Sequence, residues 1–181
     1  DNCKKRVKKN TLRVLDCKNP ACRNVISGAP RITESLCSVC RNHFNRVKEY
    51  LDAISIAFRV DPLLVRGLDY YTGTVFELYS SDLGAQDALG AGGRYDNLVE
   101  DLGGDPTGAV GFSIGMERLL MLLEGKDIPE PETISGPAVF LAGLGEKAFK
   151  LNFILLSRLR RKGIRAEIDY LGRSLKAQMR Q

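Results

Sequence analysis

Arg66-Gly67-Leu68-Asp69-Tyr70-Tyr71-Thr72-Gly73-Thr74-Val75-Phe76-Glu77 is the stretch that decides how this chain is read. It sets a cation and two adjacent phenols between two glycines, then runs into Val75-Phe76-Glu77-Leu78-Tyr79, whose β-branched and aromatic content reads as a strand. An arginine supplies fixed positive charge, tyrosines supply hydroxyl donors and acceptors, and glycines let a ligand approach the backbone. Two further blocks of the same character follow: Gly90-Ala91-Gly92-Gly93-Arg94-Tyr95-Asp96, and Gly111-Phe112-Ser113-Ile114-Gly115-Met116-Glu117-Arg118. Three glycine- and arginine-bearing blocks close together in the chain point to one binding site assembled in pieces.

The glycines of the second block make neither a P-loop nor a dinucleotide-binding turn. No Gly-Lys-Ser/Thr follows them and no βαβ unit frames them, which argues against a kinase or a dehydrogenase. In their order and content the three blocks resemble histidyl-tRNA synthetases, which are class II aminoacyl-tRNA synthetases: the first the histidine-specific signature, the second its glycine-rich companion, the third motif 3. The resemblance runs over essentially the whole chain. Motifs 1 and 2 have no counterpart, and the expectation is that they lie upstream of Asp1 and that this is an excised fragment.

The resemblance implies a fold and an activity. The fold is α+β: an antiparallel sheet with flanking helices, part of a class II catalytic core, followed by a truncated α/β anticodon-binding domain. The parent protein would be a histidine–tRNA ligase that joins histidine and ATP as histidyl-adenylate and passes the histidyl group to tRNA(His). The fragment alone, lacking motifs 1 and 2, would bind its substrates poorly and would not aminoacylate. ATP comes with Mg²⁺ in this chemistry, and no side chain here is assigned to the metal. The parent is expected to be a homodimer. Two rival readings come from other classes. One is a non-catalytic, histidine-sensing paralogue, such as the regulatory subunit of ATP phosphoribosyltransferase or the synthetase-like domain of a stress kinase. The other is a zinc-stabilised RNA-binding module, which leaves the glycine blocks without a role.

Adenylate formation develops charge on the α-phosphate, and a guanidinium stays charged and forks onto phosphate oxygens. Arg66 is the candidate catalytic clamp there; its structural alternative is to cap a sheet edge or pair with Asp69. An imidazole needs partners for both ring nitrogens. By resemblance Tyr71 faces the histidine, Tyr70 packs behind it, and Tyr95 is a second phenol beside the substrate; the alternative is that the first two are core aromatics. Gly92 and Gly93 would hold the backbone close to the ligand. Arg118, one turn into a helix, matches the arginine that holds the ATP γ-phosphate, with Gly115 against adenine or ribose. The alternative for Arg118 is a surface pair with Glu117 or Glu124.

Cys17, Cys22, Cys37 and Cys40 fall as Cys-x4-Cys and Cys-x2-Cys, a pattern that can converge on structural Zn²⁺. Reduced thiols without metal and disulfides stay open beside it. His43 could substitute as a ligand or sit on a solvated helix face, and Cys3 is left over. The zinc is read from spacing alone.

The rest of the chain sets bounds. With 181 residues, 44% hydrophobic and 27% charged, it has an ordinary globular composition. No apolar run nears the roughly 20 residues of a membrane span, so no membrane partner is expected. The chain opens Asp-Asn-Cys-Lys-Lys-Arg without signal-peptide character, and a cytoplasmic setting is expected. The formal charge is +5, with basic clusters at residues 4–9 and 158–165 that are either solvated helix faces or tRNA-phosphate contacts. The expected division is an insertion region 1–60 ending in an amphipathic helix from Arg41 to Phe58, a catalytic half 61–124, a proline-rich linker 125–137 and an opening anticodon-binding domain 138–181. In the last, strand Ala138–Ala142, helix Glu146–Lys162 and strand Ile164–Ile168 would make a β-α-β unit.

Overall fold

The structure is a computed structural model and describes residues 2–9, 11–15, 17, 19–68, 70–83, 88–127 and 136–180. It comprises two compact units, Asp1–Arg41 with Val60–Pro129, and Asn42–Arg59 with Glu130–Gln181. Residues 128–135 of the proposed linker, like Asp69, lie outside the described residues.

In the first unit, helix α1 (Asn2–Lys9) leads through a 3-10 turn (Thr11–Val14) to helix α2 (Pro20–Ile26). Helix α2 has a local cause: Asn19 accepts a hydrogen bond from the Ala21 N–H at 3.0 Å, and Pro20 occupies the first helical position, where no N–H is needed. Three antiparallel strands then form one sheet in the order β1 (Val75–Tyr79), β2 (Ala88–Arg94), β3 (Val110–Ile114). Between the last two lies the short helix α4 (Leu98–Asp101), and β3 runs through Gly115 into helix α5 (Met116–Leu123).

Strand alternation sorts the sheet into two faces. Phe76, Gly92 and Phe112 stand abreast, as do Leu78, Gly90 and Ile114; this face is apolar and largely exposed. On the opposite face Val75, Gly93 and Gly111 make one row, and Glu77, Ala91 and Ser113 the next. The described residues between 63 and 74 are irregular up to a short extension in which the Thr72 N–H donates to the Arg94 carbonyl and the Arg94 N–H to the Thr74 carbonyl, both at 3.0 Å.

Helix α3 (Ser38–Ala53) passes from the first unit into the second. It starts and stops earlier than the spacing of apolar residues predicts, and it does not run to Asp61-Pro62. Ser55 takes φ 55°, its N–H reaches the Asp52 carbonyl at 2.9 Å, and the Ile56 N–H reaches Leu51 at 2.9 Å. That pair of bonds is a Schellman ending, which stops a helix whatever the hydrophobic pattern beyond it.

The second unit holds β4 (Val139–Leu141), α6 (Gly145–Arg161), β5 (Ala166–Ile168) and α7 (Leu175–Gln178), with β4 and β5 parallel. Leu156, Ala166 and Ile168 are its buried core, and Val139, Leu141, Phe149, Phe153 and Leu159 pack round them. Tyr50 of α3 meets the Phe149 and Phe153 rings edge-on at 6.0 and 5.2 Å between centroids. Gln178 is buried and behaves like a strand residue: its amide accepts from the Gly143 N–H and donates to the Gly143 carbonyl, both at 2.9 Å. The observed class is therefore mixed, an antiparallel sheet with helices followed by a parallel β-α-β unit.

Candidate functional site

The site begins where two glycines leave bare backbone. The Tyr71 ring lies over Gly93, its Cδ1 and Cε1 2.8 Å from where a Cβ of residue 93 would stand. The Tyr95 hydroxyl rests directly over Gly111, the neighbour of Gly93 across the ladder. Tyr70 completes the group, with centroids 5.0 Å from Tyr71 and 5.7 Å from Tyr95, while Tyr71 and Tyr95 are 6.4 Å apart. The three phenols so form one cluster at the Gly93 end of β2. The space spared at Gly93 is filled by Tyr71, and that spared at Gly92 by Phe76 and Phe112 on the opposite face.

One row along the same face is Glu77, about 7 Å further by strand rise. It accepts from the Arg66 guanidinium through one carboxylate oxygen and from the Tyr79 hydroxyl through the other. Arg66 retains 32% side-chain exposure while Glu77 retains only 10%, so the carboxylate is seated and the arginine reaches outward. Burial pushes the Tyr71 phenol above its ordinary range, the Tyr70 phenol adds to this, and the positive charge of Arg66 opposes it. Tyr71 is therefore a protonated hydroxyl within the field of Arg66.

The second block is fastened to the first. Arg94 Nε donates to both Asp96 carboxylate oxygens at 2.8 and 2.6 Å, and the Asp96 N–H donates to Thr72 Oγ1 at 3.0 Å. The Arg94 bond holds the Asp96 carboxyl below its usual range against a smaller opposing effect of burial, with Thr72 helping. Sequence reading passed over Glu77, Asp96 and Gly111. Strand alternation carried the signal for the first, since it sets Glu77 opposite Phe76 and Leu78.

Arg118 lies at the other end of β2. Its guanidinium donates to the Ala88 carbonyl, and Gly115, which precedes α5, donates from its N–H to the Leu89 carbonyl at 2.9 Å. Along the sheet the order is thus tyrosines at Gly93 and Gly111, Arg66 at the Glu77 row, and Arg118 anchored at the Ala88 row. These three positions span five residue steps of one strand, roughly 17 Å.

The cysteines divide differently from their spacing. Cys3, Cys17 and Cys22 have sulfurs that all lie within 4.8 Å of one another, with Cys3 and Cys22 3.7 Å apart, and all three are half-buried. Hydrogen bonding to Cys17, then to Cys3, together with burial, pushes the Cys22 thiol up to about 11. Cys37 and Cys40 are exposed at the start of α3, where the Cys40 N–H donates to Cys37 Sγ at 3.4 Å. That N–H draws the Cys37 thiol down, while its bond with Cys37 raises Cys40. The expected set of Cys17, Cys22, Cys37 and Cys40 is not gathered; among the described residues the three-thiol group takes Cys3 instead. The third thiol comes from α1, whose Cys3 reaches Cys22 of α2. His43 is exposed on α3.

In the second unit a cleft of about 450 Å³ is lined in part by Gly136, Pro137, Arg160 and Arg165. Arg160 Nε donates to the Ala166 carbonyl at 3.0 Å, and Arg165 donates to the Gly136 carbonyl. Arg161 likewise donates to the Ile54 carbonyl. Much of the basic cluster at 158–165 therefore serves the backbone of its own unit.

A family model described as Histidyl-tRNA synthetase matches residues 18–119, which contain all three glycine-bearing blocks. A histidine–tRNA ligase of Caldanaerobacter subterraneus subsp. tengcongensis is 52% identical over 182 residues, an alignment that covers 99% of this chain and 43% of that protein. One of Halothermothrix orenii is 51% identical over 179 residues, covering 99% and 42%. Among solved structures, the apo histidyl-tRNA synthetase of S. aureus superposes with a TM-score of 0.53 at 37% identity, over 99% of this chain and 44% of that one. The chain thus spans a little over two fifths of the length of the relatives it matches.

Proposed function

This chain belongs to the histidyl-tRNA synthetase family, and from that premise we propose that it supplies one wall of the amino-acid and nucleotide site of a histidine–tRNA ligase. The observation that carries the reading is the order of groups along β2. A phenol cluster, a seated guanidinium and a second guanidinium follow one another as the parts of an aminoacyl-adenylate reaction would: imidazole, α-phosphate, terminal phosphates.

In this reading Tyr71 and Tyr95 present hydroxyls to the histidine ring, with Tyr70 as their packing partner. Arg66 meets the charge that grows on the α-phosphate as the histidine carboxylate attacks and pyrophosphate departs. It acts from a fixed position because Glu77 holds it, so little reorganisation accompanies the reaction. Arg118 meets the terminal phosphates at the start of α5. Gly92 and Gly93 keep the strand low beneath the phenols, and Gly115 keeps the entry to α5 free of a side chain. Mg²⁺ would enter with the triphosphate, and the described residues add no carboxylate that we assign to it. tRNA(His) is the acceptor, and the whole protein works in the cytoplasm as a homodimer. The division into insertion region 1–60, catalytic half 61–124, linker 125–137 and anticodon-binding domain 138–181 belongs to the same proposal.

The test is histidine-dependent ATP–pyrophosphate exchange by the whole protein. Arg66→Ala should lower exchange by roughly 10²–10³-fold while histidine still binds. Histidine binding without exchange in the unaltered protein would support the sensing paralogue instead. Loss of histidine binding alone in Arg66→Ala would contradict the role given to Arg66.

A further inference from the structure

Cys3, Cys17 and Cys22 come from three separate pieces of chain: the first turn of α1, the turn after Thr11–Val14, and α2. Their sulfurs nonetheless all fall within 4.8 Å of one another, and the three are half-buried whereas Cys37 and Cys40 are exposed. No role in histidine or nucleotide binding touches them. In the surrounding 41 residues of the unit the only buried apolar side chain among those described is Ile26, so this segment has little core of its own. A small polar segment with a thin core is commonly held by a metal or by disulfides.

We propose that Cys3, Cys17 and Cys22 are three thiolate ligands of one soft divalent cation, Zn²⁺, which pins α1 and α2 to the turn between them. Three thiolates suit zinc and disfavour the hard cations that accompany phosphates. Each ligand arrives as a thiol and leaves its proton to solvent, so the trio releases three protons and leaves the centre with one net negative charge when water is the fourth ligand, and four protons and two negative charges when a fourth cysteine is. Lys4, Lys5 and Lys8 stand on α1 and Arg23 on α2, the helices that carry Cys3 and Cys22. The fourth position of the tetrahedron is filled from outside the trio, by water or by one of the Cys37–Cys40 pair. The site is structural and independent of the catalytic reading, so failure of either leaves the other standing.

The test is metal analysis of the whole protein prepared without chelator, followed by replacement with Co²⁺. We expect about one zinc per chain and a strong thiolate-to-cobalt band. Cys3→Ser should weaken metal binding at least about tenfold, as should Cys17→Ser and Cys22→Ser. Where a serine variant does not fold, Cys3→His keeps a ligand: the cobalt should stay bound with a weaker thiolate band. Three or four thiolates counted from that band both support the site. Three results overturn it: no zinc or cobalt bound, metal retained unchanged in Cys3→Ser and lost only from Cys37→Ser or Cys40→Ser, or a disulfide joining any two of the trio in the native protein.

Discussion

Glu77 holds Arg66 through one carboxylate oxygen and takes the Tyr79 hydroxyl on the other, so the guanidinium is fixed from within the sheet rather than from its own loop. The described residues between 63 and 74 have no regular structure to position an arginine, and the strand does it for them. Glu77→Gln should therefore keep the fold and histidine affinity yet slow pyrophosphate exchange by about tenfold, because a neutral amide leaves Arg66 present but loosely aimed. Arg66→Ala should cost much more. Measuring both variants separates aim from charge: equal losses would mean that Glu77 acts on substrate directly.

The glycines of the sheet make a graded series. At Gly111 an added methyl meets the tip of Tyr95, which can swing away. At Gly93 it meets the Tyr71 ring at 2.8 Å and also the Thr74 carbonyl at 2.9 Å. At Gly92 it meets the Gly111 carbonyl and Phe112 Cβ, neither of which can yield without the backbone. Overpacking of this kind costs about 1–3 kcal/mol or more when backbone must move. Gly111→Ala should fold well and lose histidine affinity, Gly93→Ala should lose both affinity and some stability, and Gly92→Ala should be the least stable. Thermal melts beside histidine titrations check the ranking; Gly92→Ala melting like the wild type would break it.

How much of this was legible beforehand differs by residue. The strand at Val75–Tyr79 and the β-α-β unit at the C-terminal end follow from their apolar and β-branched content, because local pattern and final structure agree there. The class of fold and the family follow from three short blocks whose residue types are costly to use without a site. The end of α3 was not legible: its hydrophobic spacing continues to Phe58, but a two-bond ending at Ser55 stops it. Neither was the cysteine grouping. Cys37 and Cys40 have the tighter spacing, but the third sulfur of the group comes from Cys3 on α1, and no spacing rule contains that. Glu77 was hidden in plain view inside the first block, since a carboxylate on a strand reads as solvated until its partner is known.

Ser55 occupies a left-handed position that glycine usually fills at a Schellman ending. The seryl Cβ is strained there by roughly 1 kcal/mol. Ser55→Gly should remove that strain, and once the added freedom of glycine in the unfolded chain is counted the net gain should be no more than about 0.5 kcal/mol. Ser55→Val should lower it by more than that. Urea unfolding of the three proteins checks the order. An unchanged midpoint for both variants would mean that the ending frays in solution.

Asp169 is buried at the end of β5, where the Arg173 N–H donates to it at 2.7 Å and the Arg173 guanidinium pairs with it. Burial by itself pushes the carboxyl up. The Arg173 side chain and backbone donors outweigh that and hold it below the ordinary 3.8. The sign follows from the ionised form being favoured in the folded chain. The contribution to stability is fully present above the unfolded value and disappears as pH falls through the lower folded value. Between neutrality and about pH 5 the unfolding midpoint should be flat with respect to this group, and below about pH 4 it should fall. Asp169→Asn should be less stable than the wild type at pH 7, and the two curves should converge in acid, because protonation makes the carboxyl as neutral as the amide. Denaturation midpoints across that range decide it: parallel curves from pH 7 to pH 3 would show that the Arg173 contacts do not favour the charged carboxylate.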